Sequence, residues 1–564
     1  MGEPVELAPD YYLSNFRALV DFVVARYEGL LSDRERRFYH DFRALELNSQ
    51  RLYVRLLSRK GVPSSRGALF RLGKLNYVEI ENLPLAAEQL VTADLLQRDP
   101  ALALEEMLPL FSKAELQACS PVPLPKALKR PALELALLEL HDEAPALRNA
   151  LAAGETLLAV QAAEHFETFK LCFFGNLNQD LTDYVLRDLG MYRYENYPLD
   201  RKNLPFQSRA QIDRHLRYYD CLELLDGALE AGPEEILALA EQLPEVSDGD
   251  ATLHRRLDRL RLTLARQLER LEALDAADRL YRACARPPAR ERRARIAVTR
   301  GDIDTGLALC GEILAAPHNE AEQVFAESFG YRTAKKAKQL GGWQPPERCK
   351  PPTETVVLPP APDRVELLAA AYLELGSPSA EPDPFPHQCF YVENTLFNGV
   401  LGLYVWDILF SPVPGAFFNP FQVAPSDFRT GDFFLQRRVA FEQRLAELDV
   451  EHLARRVWRH YRQKYGVANP LVAWEALPEP LLQLALERIP ADHWHRLFRR
   501  LLSDIGHHRN GLPDLILFPS SGGYELVEVK GPGDRLQQNQ QRWLAYFARH
   551  QIPHRVLHVE WQQP

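Results

Sequence analysis

Residues 511–530 read GLPDLILFPSSGGYELVEVK, two short apolar runs on either side of a glycine turn. Asp514 to Phe518 has the length and composition of a strand, and Pro519-Ser520-Ser521-Gly522-Gly523 has the composition of a turn. Tyr524 to Lys530 alternates polar and apolar residues like a second strand. A hairpin folded about Ser521 leaves Asp514 and Glu528 equally far from its tip, facing each other across the ladder. Side chains alternate along a strand, so Glu528 and Lys530 share one face and Val527 and Val529 the other. The apolar neighbours then bury and hold an acid–acid–lysine set.

That set carries a recognisable chemistry. Two facing carboxylates can hold hard divalent cations such as magnesium or manganese. Such ions neutralise a phosphate, acidify a bound water and stabilise a leaving oxygen. Lys530 is suited to orient or activate the attacking water, or to offset charge in the transition state. Gln540 follows Lys530 by ten residues at the start of the helical stretch QNQQRWLAYFARH, where its amide can position water or phosphate. An isolated Glu-x-Lys is most simply a surface hairpin with a salt bridge. The ordered whole says more: Pro513-Asp514, an apolar strand, a Gly turn, Glu528-Val529-Lys530-Gly531 and a Gln-bearing helix. It points to metal-dependent phosphodiester hydrolysis. His507, His508 and Arg509 precede the motif and suit either phosphate contact or capping and packing, whereas Arg535 is better placed for DNA.

Outward from this motif, the 564-residue chain is several domains long and has ordinary soluble composition, 46% hydrophobic and 26% charged. A net charge of −10 argues against a uniformly basic nucleic-acid binder but leaves local basic surfaces open. Seven cysteines without CxxC spacing read as reduced core thiols. The start, MGEPVELAPDYYLSNF, lacks a signal peptide's basic and apolar regions. Gly399–Phe418 is greasy but includes Asp407, Pro412, Pro414 and Gly415, which predicts a buried helix and a turn, not a membrane span. The expected location is cytoplasmic, nucleoid-associated in a bacterium.

The organisation predicted is an N-terminal helical domain over 1–100, a small basic module over 101–150 and a helical connector over 151–220. Helical repeats over 221–343 and a Pro-rich linker over 344–375 lead into an α/β domain over 376–564. In the first domain Phe38 to Ser58 reads as one amphipathic helix, with Phe42, Leu45, Leu52 and Leu56 at helical spacing. Tyr53, Arg55, Arg59 and Lys60 form its basic, aromatic end, a solvated face or a DNA contact. In the second, Ser112 and Glu115 make a capping box, and Lys113, Lys126, Lys129 and Arg130 gather around a helix break suited to phosphate. Segments such as EALDAADRLYRAC and RGDIDTGLALCGEIL have the form of tetratricopeptide-like helix pairs, with scaffolding as their main role. A basic run follows from Tyr331 to Lys338, with Arg332, Lys335 and Lys336, which suits a phosphate or an ordinary helix end equally.

Residues 511–530 resemble the PD-(D/E)XK nuclease signature in its VRR-NUC variant, and VEVKGPGDRLQQNQQRWL is similar to the form found in the Fanconi-associated nucleases. YYLSNF, NSQRLYVRLLSRK, the basic module, the repeats and GLYVWDILF follow in that family's order, so the resemblance, to its bacterial-type members, covers most of the chain. It implies a multidomain, mainly α protein with a SAP-like module and TPR-like repeats, ending in an α/β nuclease domain with a central mixed sheet. It also implies a third acid upstream, matched by Glu393, which would project from the start of a helix. The candidate catalytic set is then Glu393, Asp514, Glu528, Lys530 and Gln540. The candidate metal ligands are Glu393, Asp514, Glu528 and Val529, for magnesium or manganese, with two ions per site. Asp407, in a greasier setting, reads as a structural partner. The family's substrates are DNA near 5′ flaps and branched junctions, trimmed also from 5′ ends, in interstrand crosslink repair. The ubiquitin-binding zinc finger of longer members has no counterpart in Cys/His spacing here. Candidate DNA contacts are Lys113, Lys129, Arg130, Arg332, Lys335, Lys336 and Arg535, and the protein is expected to act as a monomer or a DNA-induced dimer. A branched-DNA-binding scaffold without catalysis and a helical-repeat adaptor for other proteins are the alternatives.

Overall fold

The computed structural model describes residues 10–179, 193–246, 249–346, 350–375 and 387–562. The chain divides into two compact units, Met1–Met191 with Pro205–Leu216, and Tyr192–Leu204 with Arg217–Pro564. The first nine residues and Cys349 lie outside the described residues. The six described cysteines are unpaired, and all but Cys119 are buried.

The first unit opens with helices Tyr11–Tyr27, Asp33–Ala44 and Leu47–Ser58. The single helix predicted over Phe38–Ser58 is therefore two. Leu45 and Glu46 take extended conformations, and the Gln50 side-chain amide donates to the Leu45 carbonyl at 2.9 Å, pinning the corner. Phe42, Leu52 and Leu56 are buried as their spacing predicts. The aromatic, basic helix end is mostly packing: Tyr53 is fully buried and donates to the Gln161 carbonyl at 2.8 Å, and Arg55 pairs with Glu79 at 2.6 Å.

This unit is not wholly helical. Strands β1 (Leu69–Arg71), β2 (Leu96–Arg98) and β3 (Leu157–Val160) form an antiparallel sheet in the order β1-β3-β2. Runs of three or four residues are too short to show a period, so the sequence hides them. The sheet also crosses the predicted boundaries at 100/101 and 150/151. Leu133, Leu137, Leu147 and Leu151, from helices Arg130–Leu138 and Ala144–Ala152, share one core with Leu69 and Leu157 of the sheet. Buried Arg71 joins the same elements through Glu115, at 2.9 Å, and Glu155. Residues 101–150 thus share one core with strands β1 and β3, so the boundaries predicted at 100/101 and 150/151 are too narrow. Their capping box forms as predicted, with Ser112 N–H donating to Glu115 at 2.7 Å.

In the second unit, helices Ala251–Arg270, Leu274–Arg282, Ala289–Thr299, Ile303–Ala315 and Glu320–Ala337 follow one another as the helical-repeat reading expects. Gly306 shows how closely two of them pack, because a Cβ there would stand 2.5 Å from a Val298 methyl.

The C-terminal part is built on a mixed five-stranded sheet. Strands β4 (Thr353–Leu358), β5 (Gln388–Tyr391), β6 (Leu515–Phe518), β7 (Glu525–Lys530) and β8 (His554–Trp561) lie in the order β4-β8-β7-β6-β5. Strand β8 runs parallel to both β4 and β7, and the β5–β6–β7 pairs are antiparallel. The predicted linker over 344–375 is corrected here. It supplies edge strand β4 and helix Val365–Leu375, since its prolines at 351–352 and 359–360 bracket the Thr353–Leu358 run without interrupting it. That helix lays Ala369, Ala370 and Leu373 over Leu515, Val527, Val529, Leu557 and Val559 on one sheet face. Ile516, Leu526 and Val556 on the other face join the large core around helices Leu396–Tyr404, Ala491–Ser503 and Gln538–Arg549. The greasy stretch is a buried helix, a short second helix Trp406–Leu409 and a turn, as predicted. Asp407 pairs with Arg444 at 2.7 Å, although half its side chain stays exposed. Among the described residues no helix is long and apolar enough to cross a membrane.

Candidate active site

The β6–β7 register pairs Leu515 with Val527, Ile516 with Leu526 and Leu517 with Glu525. One rung further out stand Asp514 and Glu528, as a turn centred on Ser521 requires. Both are buried, Asp514 at 7% exposure and Glu528 at 1%, and Asp514 Oδ2 accepts from the Val529 N–H at 2.8 Å. On the other edge of β6, Tyr391 pairs with Leu515, and the Val392 N–H donates to the Asp514 carbonyl at 2.7 Å. This extension of the ladder brings Glu393 in beside Asp514.

Glu393 does not project from a helix as expected; it sits in the turn after β5, before helix Leu396–Tyr404 begins. Asn394 makes that turn with φ 55°, a left-handed conformation that asparagine tolerates better than most residues. Its side chain accepts from the Leu512 N–H at 3.1 Å and donates to Glu393 Oε1 at 3.3 Å. The Asn398 amide spans the Asn394 and Arg509 carbonyls at 2.7 and 2.8 Å. Tyr391 Oη donates to Glu393 Oε2 at 2.5 Å. Sequence reasoning missed Tyr391, Asn394 and Asn398; polar side chains interrupting the otherwise apolar run after Cys389 were the available signal.

The electrostatics of the pair are strained. Lys530 Nζ lies 2.8 Å from the buried Glu528 Oε1, a close ion pair inside the sheet. Loss of solvent, then the neighbouring Asp514 charge, pushes the Glu528 carboxyl up to about 8 against the pull of Lys530. Burial likewise raises Asp514, to about 6, although the Val529 N–H and Lys530 oppose it. Two buried acids that resist ionising together, with Lys530 as the cation beside them, leave room for further positive charge. An all-oxygen donor set fits a hard divalent ion. Val529 turns its side chain into the apolar core, so its main-chain carbonyl is the group it can offer. Among the described residues no three acidic, His or Cys side chains are gathered closely enough to form a cation cage; Glu393 lies on the flank of the two carboxylates.

Gln540 occupies the third position of helix Gln538–Arg549. Its Oε1 caps the Gln537 N–H at 2.8 Å, so its Nε2 is the group left to address water or phosphate. Gly511, at φ +83°, lets the loop leading to Asp514 lie directly on this helix start, because a Cβ there would meet Asn539 at 2.8 Å. Arg535 is exposed on the loop between β7 and that helix. His507 pairs with Asp504 at 2.9 Å and His508 meets the Arg500 carbonyl at 2.7 Å, which gives both a capping and packing role.

The other candidate basic residues lie apart from this site in the sequence. Lys113 Nζ donates to the Lys126 carbonyl at 3.0 Å, and Lys129 is exposed before helix Arg130–Leu138. Arg130 is tied to Glu134 at 2.5 Å and to the Leu108 carbonyl at 2.9 Å, so its work is local. Arg332, Lys335 and Lys336 share the exposed side of helix Glu320–Ala337, opposite buried Thr333 and Ala334. A cavity of about 880 Å³, lined in part by Arg255, Arg261 and Arg286 and by the acids Glu245, Asp250 and Asp432, was not foreseen, because its residues are scattered along the sequence.

Comparison with known proteins bears on these observations. The VRR-NUC domain family matches residues 449–561, and the family described as FAN1, HTH domain matches residues 10–97. The chain is 36% identical to the Fanconi-associated nuclease 1 homologue of Pseudomonas aeruginosa, over 100% of its own length and 98% of that protein. It is 25% identical to the Arabidopsis thaliana homologue, over 94% of its own length and 65% of that protein. The solved structure of paFAN1 bound to 2-nt 5′-flap DNA with a gap superposes with a TM-score of 0.83 at 35% identity, covering 100% of both chains. The chain thus belongs to the Fanconi-associated nuclease 1 family and is a DNA nuclease, a hydrolase whose VRR-NUC domain depends on divalent metal.

Proposed function

We propose that this protein incises DNA at 5′ flaps and trims from 5′ ends, within the repair of interstrand crosslinks. The observation that carries this reading is the buried Asp514–Glu528–Lys530 set, two facing carboxylates with a lysine ammonium 2.8 Å from one of them. The flap-bound paFAN1 structure supports the substrate class. Glu393, Asp514, Glu528 and the Val529 carbonyl are the ligands for two magnesium or manganese ions. When bound, the ions supply charge neutralisation at the phosphate, an acidified water and a stabilised leaving oxygen.

The chain's own residues do the rest. Asp514 is held in orientation by the Val529 N–H, and Glu528, whose carboxyl is raised in the metal-free site, would ionise to hold a cation. Lys530, beside Glu528, offers a donor to the attacking water or to charge growing on the phosphate. Gln540 Nε2 holds the water or a phosphate oxygen from the helix start. The two apolar cores against the sheet fix these groups in place. Arg535, Lys113 and Lys129 with the exposed Arg332, Lys335 and Lys336 serve as backbone contacts.

Labelled 5′-flap, 3′-flap and plain duplex DNA, each with magnesium or manganese, test this reading. The 5′ flap is expected to be cut at least about tenfold faster than the duplex, a difference of about 1.4 kcal/mol in barrier. Equal cutting of all three would overturn the substrate class. Binding without cutting in either metal would leave a branched-DNA scaffold.

A further inference from the structure

Glu393 reaches the site from a turn, and helical backbone does not hold it there. Two side chains with no assigned role do. Tyr391, the last residue of β5, donates its hydroxyl to Glu393 Oε2 at 2.5 Å. Arg364, just before helix Val365–Leu375, donates to that same hydroxyl oxygen at 3.1 Å, and its guanidinium carbon stands 5.0 Å from the centre of the Tyr391 ring. Arg364 also approaches Glu366 of that helix at 3.7 Å. The path from helix to strand to turn is thus continuous: Glu366, Arg364, Tyr391, Glu393.

We propose that Tyr391 and Arg364 form a positioning latch that sets the Glu393 carboxylate for cation binding. The inference rests on Glu393 being a ligand of the nuclease site, as read above. Register places the latch where it can act. Tyr391 pairs directly with Leu515, the neighbour of Asp514, so the phenol is anchored one residue from the carboxylates it serves. A phenol donor on Oε2 fixes the rotation of the group, and Oε1, which accepts only the long 3.3 Å bond from Asn394, keeps lone-pair capacity for a cation. Arg364 occupies the phenol's acceptor side, which directs its proton at Glu393 and away from water. A direct Arg–Glu393 pair would instead neutralise the acid, and the intervening phenol avoids that.

The test is manganese affinity of the DNA-free protein, read from the electron paramagnetic resonance of free Mn²⁺, for wild type and Tyr391→Phe, Arg364→Met and Glu393→Gln. Loss of an outer partner of a ligand typically weakens metal binding about 10- to 100-fold. Tyr391→Phe is expected to weaken binding by about tenfold, with an unchanged melting temperature in chelator. Its cleavage midpoint should move to higher manganese while the rate at saturating manganese stays near wild type. Exposed Arg364→Met, which does not threaten the fold, should shift affinity in the same direction and by less. If Glu393→Gln weakens binding and neither latch variant does, the latch is wrong and the ligand assignment stands. If Glu393→Gln itself binds manganese as wild type does, the reading of Glu393 fails first and takes the latch with it.

Discussion

Glu528 is buried beside a second carboxylate, and Lys530, of opposite sign, contacts it at 2.8 Å. Its carboxyl is raised to about 8, so without metal the fold pays to ionise it. That cost is absent below the acid's ordinary range, grows as pH rises and is complete above about 8. Glu528→Gln should therefore raise the melting temperature of the metal-free protein at pH 8 and change it little at pH 4, while lowering cleavage by about 10³-fold or more. A drop in the metal-free melting temperature at pH 8 would contradict the electrostatic account. The same sign governs the metal. Because the cation must displace a proton held by Glu528 or Asp514, manganese should bind more tightly at pH 8 than at pH 6, as titration calorimetry of the DNA-free protein would show. Asp514, Glu528 and Lys530 were legible in the sequence because a short hairpin fixes its own register. Glu393 was named only through family resemblance. Its place depends on β5 pairing with a strand more than a hundred residues away, which local periodicity does not encode.

Strand β4 and helix Val365–Leu375 show how a composition signal misleads. The density of prolines suggested a connector, yet the prolines stand outside the strand, and β4 takes an edge position where its unpaired side tolerates irregular neighbours. Val356 is 5% exposed within the core of that sheet face. Val356→Asp should lower stability by about 3 kcal/mol in urea denaturation, whereas a linker residue would tolerate the change. The three short strands of the first unit were invisible for a different reason, having too few residues to alternate. The long helices and the hairpin were readable because each repeats its period several times or is punctuated by glycine. A second element-scale prediction concerns Gly511. An alanine there must crowd Asn539 at a positive φ, so Gly511→Ala should shift the start of the Gln540 helix and lower kcat more than it lowers DNA affinity.

Across the whole chain, an acidic protein of net charge −10 handles a polyanion, so binding must rest on local basic surfaces. Arg332, Lys335 and Lys336 form one such surface on helix Glu320–Ala337. Reversing all three to glutamate should weaken flap binding and flatten the slope of log affinity against log salt by about 2 to 3, with manganese affinity unchanged. An unaltered slope would assign that face to scaffolding. Mainly helical organisation and a terminal mixed sheet were foreseeable from the sequence, whereas the joining of residues 101–150 to strands β1 and β3 was not, since it depends on Arg71, Glu115 and Glu155 meeting across long separations. The central claim is that one buried carboxylate pair performs the chemistry, and single-turnover cleavage of a 5′-flap substrate by wild type and Asp514→Asn, alongside flap binding in chelator, tests it most directly. The account predicts metal-dependent cutting by wild type, a loss of about 10³-fold or more in the variant, and flap affinity within about twofold of wild type. Cutting by Asp514→Asn at a rate close to wild type would place the catalytic centre elsewhere in the molecule.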